Sequence, residues 1–144
     1  MEKRSKKVCI GEVTSRFGRR THPITKEQGS FHNGVDIGCK VGTIILSPVN
    51  AKVMEVYYNE YGGHTVILKD LANDDRYGFC HLQESLREVG SIVNKGEPFA
   101  RSGNSGRSSG PHLHFSYATG GKWINNKCHW FDYKDPSSKI VINE

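Results

Sequence analysis

The segment Gly110-Pro111-His112-Leu113-His114-Phe115 alternates imidazole with apolar side chain directly behind a Gly-Pro break. That pattern commits it to a strand, because successive strand side chains point to opposite faces. His112 and His114 then look one way, their Cα atoms roughly 6–7 Å apart. Leu113 and Phe115 look the other way, where a core would hold them. Two imidazoles fixed side by side on a rigid element can combine a metal ligand with a proton-transfer group. Taken alone, the pair more readily suits a surface strand that carries two histidines.

Two further segments carry compatible chemistry. In Phe31-His32-Asn33-Gly34-Val35-Asp36-Ile37-Gly38, a His and an Asp offer the nitrogen and carboxylate oxygen that zinc accepts. A helix would put this spacing of four on one face, but Asn33-Gly34 signals a turn, and Val35 and Ile37 favour a strand. A fully extended chain would separate the two Cα atoms by about 13 Å. A bend at Asn33-Gly34 that folds His32 back toward Asp36 removes that obstacle. A hairpin turn with an exposed His and a capping Asp is the structural alternative. In Arg76-Tyr77-Gly78-Phe79-Cys80-His81-Leu82, alternation puts Tyr77, Phe79 and His81 on one face. A lone His at a strand end also has a purely structural reading.

Composition points to an all-β chain. Sixteen glycines and 35% hydrophobic residues suit a turn-rich domain, and 144 residues suffice for one core. Strands are expected at 43–46, 51–58, 65–69, 76–81 and 113–118, with turns between them. The sole helical expectation is a single turn around 83–88. The run 101–110 reads as a glycine-hinged loop. A basic N-terminal extension is expected over residues 1–14, one domain over 15–135 and a tail over 136–144.

The three histidine-bearing segments, in this order, closely resemble the signature of the zinc endopeptidases of peptidase family M23, the lysostaphin and LytM type. His32-x-x-x-Asp36, His81-Leu82 and His112-x-His114 carry the likeness. Phe17-Gly18-x-Arg20-x-His22-Pro23, Gly42-Thr43, Tyr61-Gly62-Gly63-His64-Thr65-Val66-Ile67 and the glycine-rich approach Ser102–Pro111 extend it across 15–117. The resemblance implies a compact antiparallel β-sheet domain with one zinc ion at the floor of a groove. It implies His32, Asp36 and His114 as ligands, with a fourth position left to water. His112 would act as general base, and His81 would serve the oxyanion or the leaving amine. Tyr61, Asn59 and Arg20 are candidate substrate contacts, with structural roles open for each. The implied substrate is bacterial peptidoglycan, cleaved in its peptides. The alternatives are a catalytically inactive relative that binds the wall or activates an amidase, and a wall-binding module without chemistry. Inactive relatives lose ligands, whereas all five site residues stand here.

The net charge of +5 favours an anionic partner, and wall polymers fit that demand. Part of the charge lies in Lys3, Arg4, Lys6 and Lys7, and no aromatic stacking platform follows them, which argues against nucleic acid. Arg19, Arg20, Lys26, Arg87, Arg101 and Arg107 fall in segments expected to wall the groove. This basic rim favours directly cross-linked stem peptides with free carboxylates over polyglycine bridges. Cys9, Cys39, Cys80 and Cys128 are scattered, so a structural zinc cluster is not expected and reduced thiols are. A Cys80–His81 nucleophilic pair is disfavoured, since strand neighbours point apart. Trp123, Trp130, Phe131 and Tyr133 would either close one end of the core or line a subsite. No apolar run reaches transmembrane length and no signal peptide is evident, so no membrane partner is expected. A monomeric phage lysin, a tail-associated hydrolase or a domain of a larger phage protein would fit that pattern.

Overall fold

A computed structural model describes residues 8–9, 11–21 and 28–136. Its strands are β1 (Glu12–Ser15), β2 (Gly18–Thr21), β3 (Gln28–His32), β4 (Gly34–Gly38), β5 (Ile44–Leu46), β6 (Ala51–Asn59) and β7 (Gly63–Asp70). They continue as β8 (Arg76–Ser85), β9 (Ile92–Val93), β10 (Pro98–Ser102), β11 (His112–Thr119), β12 (Lys122–Ile124), β13 (Lys127–His129) and β14 (Asp132–Lys134). The chain is antiparallel and all-β. Its main sheet runs β1-β4-β11-β8-β7-β6-β9, with β10 bridging β5 and β8, and β14 against β11. β2–β3 and β12–β13 form separate hairpins.

One face of this sheet makes the core. Val35, Ile37, Phe79, Leu82, Leu113 and Phe115 are all at most 2% exposed. The Phe79 ring lies 4.8 Å from Phe99 and 5.0 Å from Phe115, close enough for favourable aromatic contact. The opposite side chains of β4 and β11, Asp36, His112 and His114, are left half-exposed on the other face. β11 is thus the strand that its alternation demands, and it lies between β4 and β8. Close packing of β11 on β4 requires glycine at position 34, where a Cβ would collide with the Phe115 carbonyl.

Three expectations change. The folded unit begins upstream of residue 15: Val8 and Cys9 lie in the core, and β1 pairs with β4. Apolar side chains at 8 and 9 bury readily even though a basic run precedes them in sequence. Lys3, Arg4, Lys6 and Lys7, with residues 137–144 of the tail, lie outside the described residues, as do His22, Pro23 and Lys26. The turn foreseen at 83–88 is not helical. Residues 83–85 complete β8, held extended by pairing of Glu84 with Arg101 and Ser85 with Ala100. The same pairing puts Arg101 and Ser102 in β10, which shortens the glycine-hinged loop.

Candidate metal centre

The register of the central strands assembles the site. His114 on β11 lies directly across from Asp36 on β4 and from Cys80 on β8. β3 and β4 meet at Asn33, and this bend brings His32 Nε2 to 3.4 Å from Asp36 Oδ1. His114 Nδ1 stands 2.9 Å from the same oxygen. The ligand-capable atoms of His32, Asp36 and His114 all lie within 4.8 Å of one another.

His81 reaches the site by breaking the strand rule. Unbroken alternation would send it into the core behind Tyr77 and Phe79. Instead Cys80 and His81 together oppose Thr65, since His64 pairs with Leu82 and Val66 with Phe79. This is a β-bulge, two residues against one. His81 takes φ 64°, a conformation costly for a residue with a side chain and a common mark of functional sites. Leu82 returns to the core at 0% exposure. The bulge is tied down by the His81 amide, which donates to the Gly62 carbonyl at 2.6 Å.

Each of the four imidazoles has its outer nitrogen engaged. Nδ1 of His32 lies 2.8 Å from the Arg16 carbonyl, Nδ1 of His81 2.8 Å from that of Ser105, and Nδ1 of His112 2.8 Å from that of Gly110. Nε2 of His114 lies 2.8 Å from the Asn33 side-chain oxygen. A carbonyl oxygen only accepts, so each of these nitrogens carries the proton. In the neutral ring, the inner nitrogen then presents its lone pair. Such outer hydrogen bonds fix the tautomer and orientation that a ligating or base-acting histidine needs.

These tautomers fit a cation. An imidazole lone pair and a carboxylate oxygen 2.9 Å apart repel unless something positive lies between them. Tetrahedral zinc with ligands at about 2.1 Å would space them roughly 3.4 Å apart. The His32–Asp36 distance of 3.4 Å already matches. The His114–Asp36 pair would open by a few tenths of an ångström. His112 Nε2 is 3.7 Å from Asp36 Oδ1, beside the ligand triangle rather than part of it.

Electrostatics separate the carboxylate from the nearby imidazole and thiol. Burial alone would raise the Asp36 carboxyl, but when His114 is protonated on both nitrogens its Nδ1 donates to Asp36, and this bond with the nearby His32 and His112 rings holds the carboxyl below the usual range. Burial, helped by the His112 and His114 rings, holds His81 below the ordinary imidazole value. Burial pushes the Cys80 thiol up, so it is protonated at neutral pH and a poor nucleophile. Because of the bulge, Cys80 and His81 both line the groove rather than pointing apart. All four cysteines are free thiols.

The groove, of about 410 Å³, is lined by the five site residues together with Tyr61, Gly62, Arg107, Ser108 and Ser109. Among the sequence-based substrate contacts, Tyr61 lines it. Asn59 does not: its side-chain oxygen accepts from the amides of Tyr61 and Gly62 at 3.0 and 2.7 Å, shaping the turn. Arg20 falls in β2, and its side chain lies outside the described residues. The aromatic tail lies away from the groove. Trp123 donates to the Asp74 carbonyl, Phe131 stacks on Arg76, and Trp130 is 75% exposed. Four partners escaped sequence reasoning: the carbonyls of Arg16, Ser105 and Gly110, which carry no side-chain signal, and Asn33, which read only as a turn residue.

The sequence pattern of Peptidase family M23 matches residues 30–126, two thirds of the chain and the whole of this site. The chain belongs to peptidase family M23. This M23 chain is 32% identical over 114 residues to the peptidoglycan DD-endopeptidase ShyA of Vibrio cholerae. The match covers 78% of the chain and 26% of ShyA, so the chain spans about a quarter of that relative's length. Its fold superposes on the catalytic domain of lysostaphin, an antimicrobial peptidase from Staphylococcus simulans, with a TM-score of 0.72 and 26% identity. That match covers 89% of this chain and 90% of the other. LytU gives a TM-score of 0.73 and 30% identity over 89% of this chain and 83% of its own.

Proposed function

We propose that this chain is a zinc-dependent endopeptidase that hydrolyses peptide cross-links of bacterial peptidoglycan. The observation that carries the reading is the convergence of three ligand atoms and two further inward-facing imidazole nitrogens in one groove. ShyA, a peptidoglycan DD-endopeptidase, supports the substrate class. An inactive wall-binding relative would have no use for four histidine tautomers held by carbonyls.

His32 Nε2, Asp36 Oδ1 and His114 Nδ1 would hold the zinc, with Arg16 and Asn33 orienting the two imidazoles. Bound zinc supplies a Lewis acid for the scissile carbonyl and a water acidified to a pKa of about 7. His112 Nε2 accepts the proton of the attacking water, with Nδ1–H anchored on Gly110 throughout. His81 differs in one respect from the role that the resemblance implies. With its Nδ1 proton committed to Ser105, neutral His81 offers only a lone pair, so it donates to the oxyanion or leaving amine only once protonated. The His81 and His112 ring centroids are 4.6 Å apart, so the two imidazoles act on the same part of the groove.

Treatment with EDTA or 1,10-phenanthroline abolishes the clearing of a wall suspension, and added Zn²⁺ restores it. Full clearing by demonstrably zinc-free protein would defeat the proposal.

A further inference from the structure

The groove has a second chemical feature beside the metal centre. Tyr61 is 60% exposed, and the Arg107 guanidinium carbon lies 4.5 Å from its ring centre. The pair is built into the fold. The Arg107 amide donates to the Tyr61 carbonyl at 3.0 Å. Ser105 Oγ donates to the Leu82 carbonyl at 2.5 Å and accepts from the His64 amide at 3.0 Å. Gly63 has φ 67°, and a Cβ there would run into Ser105, so the two loops sit in direct backbone contact.

Stacking uses the face of a guanidinium and leaves the N–H donors in its plane free, a fork that matches a carboxylate. Among the described residues no carboxylate of this chain takes that fork. Of the other basic residues of the expected rim, the two whose side chains are described are occupied: Arg101 Nε lies 3.6 Å from Glu84, and Arg87 3.8 Å from Glu97. Arg107 is the one cation of that rim, among the described residues, that lines the groove.

We propose that Arg107, stacked on Tyr61, is a carboxylate-binding subsite that selects peptides with a free carboxylate beside the scissile bond. This rests on the peptidoglycan endopeptidase reading. The anion must belong to the reacting peptide, because Arg107 shares a groove with the groups that act on its carbonyl. A direct cross-link from D-alanine to a diamino dicarboxylic acid meets the demand: the carbon bonded to the scissile nitrogen bears a free carboxylate. A glycine bridge has no such group, since each carboxyl within it is already an amide.

The test compares cross-linked muropeptide dimers that carry this carboxylate either free or amidated. The zinc-loaded wild type cleaves the free form with kcat/KM higher by roughly 10-fold or more, expressed mainly in KM, as a charge-assisted hydrogen bond would give. Arg107→Gln keeps its zinc and cleaves both forms alike, and Arg107→Lys recovers part of the preference. A parallel NMR titration follows the Arg107 Nε–H signal as a stem tetrapeptide with free or amidated carboxylate is added. A shift with the free form alone supports the subsite even if no hydrolysis occurs, in which case the endopeptidase reading is what fails. Equal cleavage of both dimers by the wild type, a preference that survives Arg107→Gln, or the absence of a carboxylate-dependent shift overturns the subsite.

Discussion

Asp36→Ala yields a folded protein that has lost its zinc and its hydrolytic activity together. Asp36 is the hub of the centre, 3.4 Å from His32, 2.9 Å from His114 and 3.7 Å from His112. It also supplies the only negative charge among the three candidate ligands. Its removal leaves two imidazoles, too few for a catalytic zinc site. The side chain faces the groove, and the β4–β11 ladder is made by backbone, so the sheet survives. His114→Ala has the same outcome and also leaves Asn33 without its partner. Loss of a metal's transition-state stabilisation, worth several kcal/mol, corresponds to a fall in rate of roughly 10³-fold or more. Zinc content by elemental mass spectrometry, beside circular dichroism for the fold, checks it. Stoichiometric zinc in Asp36→Ala would contradict the ligand assignment.

His112→Ala separates catalysis from metal binding. Its Nε2 stands outside the ligand triangle, so zinc and fold remain while kcat falls by roughly 10²- to 10⁴-fold, the ordinary contribution of a positioned base. His81→Ala also keeps the metal and loses activity, with a fall comparable to that for removal of an oxyanion donor, roughly 10²- to 10³-fold. Zinc content and single-turnover rates measured on the same samples distinguish these variants from Asp36→Ala. Loss of metal in His112→Ala with retention in His114→Ala would reverse the roles of the two β11 histidines.

The central strands were legible because period-two patterning is strong where one face is a core. Leu113 and Phe115 fixed the faces of His112 and His114, and Val35 and Ile37 did the same for Asp36. The Asn33-Gly34 break announced the bend that lets His32 and Asp36 meet. His81 shows where that logic stops. Alternation assumes an unbroken ladder, and a bulge opposite Thr65 turns His81 out of the core and onto the site face. Only the family pattern pointed to it. β10 and the hairpin β12–β13 escaped because Pro98 and the Asn125-Asn126 turn hide short strands whose pairing is long-range or local to two segments. The anchoring carbonyls of Arg16, Ser105 and Gly110 were beyond sequence reasoning, since backbone acceptors look the same at every residue.

The most direct measurement is mass spectrometry of muropeptides from purified sacculi digested by the zinc-loaded protein in heavy-oxygen water. Peptide hydrolysis predicts a fall in cross-linked dimers, a matching rise in monomers, and one heavy oxygen in each newly formed carboxyl group. Intact dimers, or label found only where the glycan strand or the sugar–peptide amide has been cut, would contradict an endopeptidase.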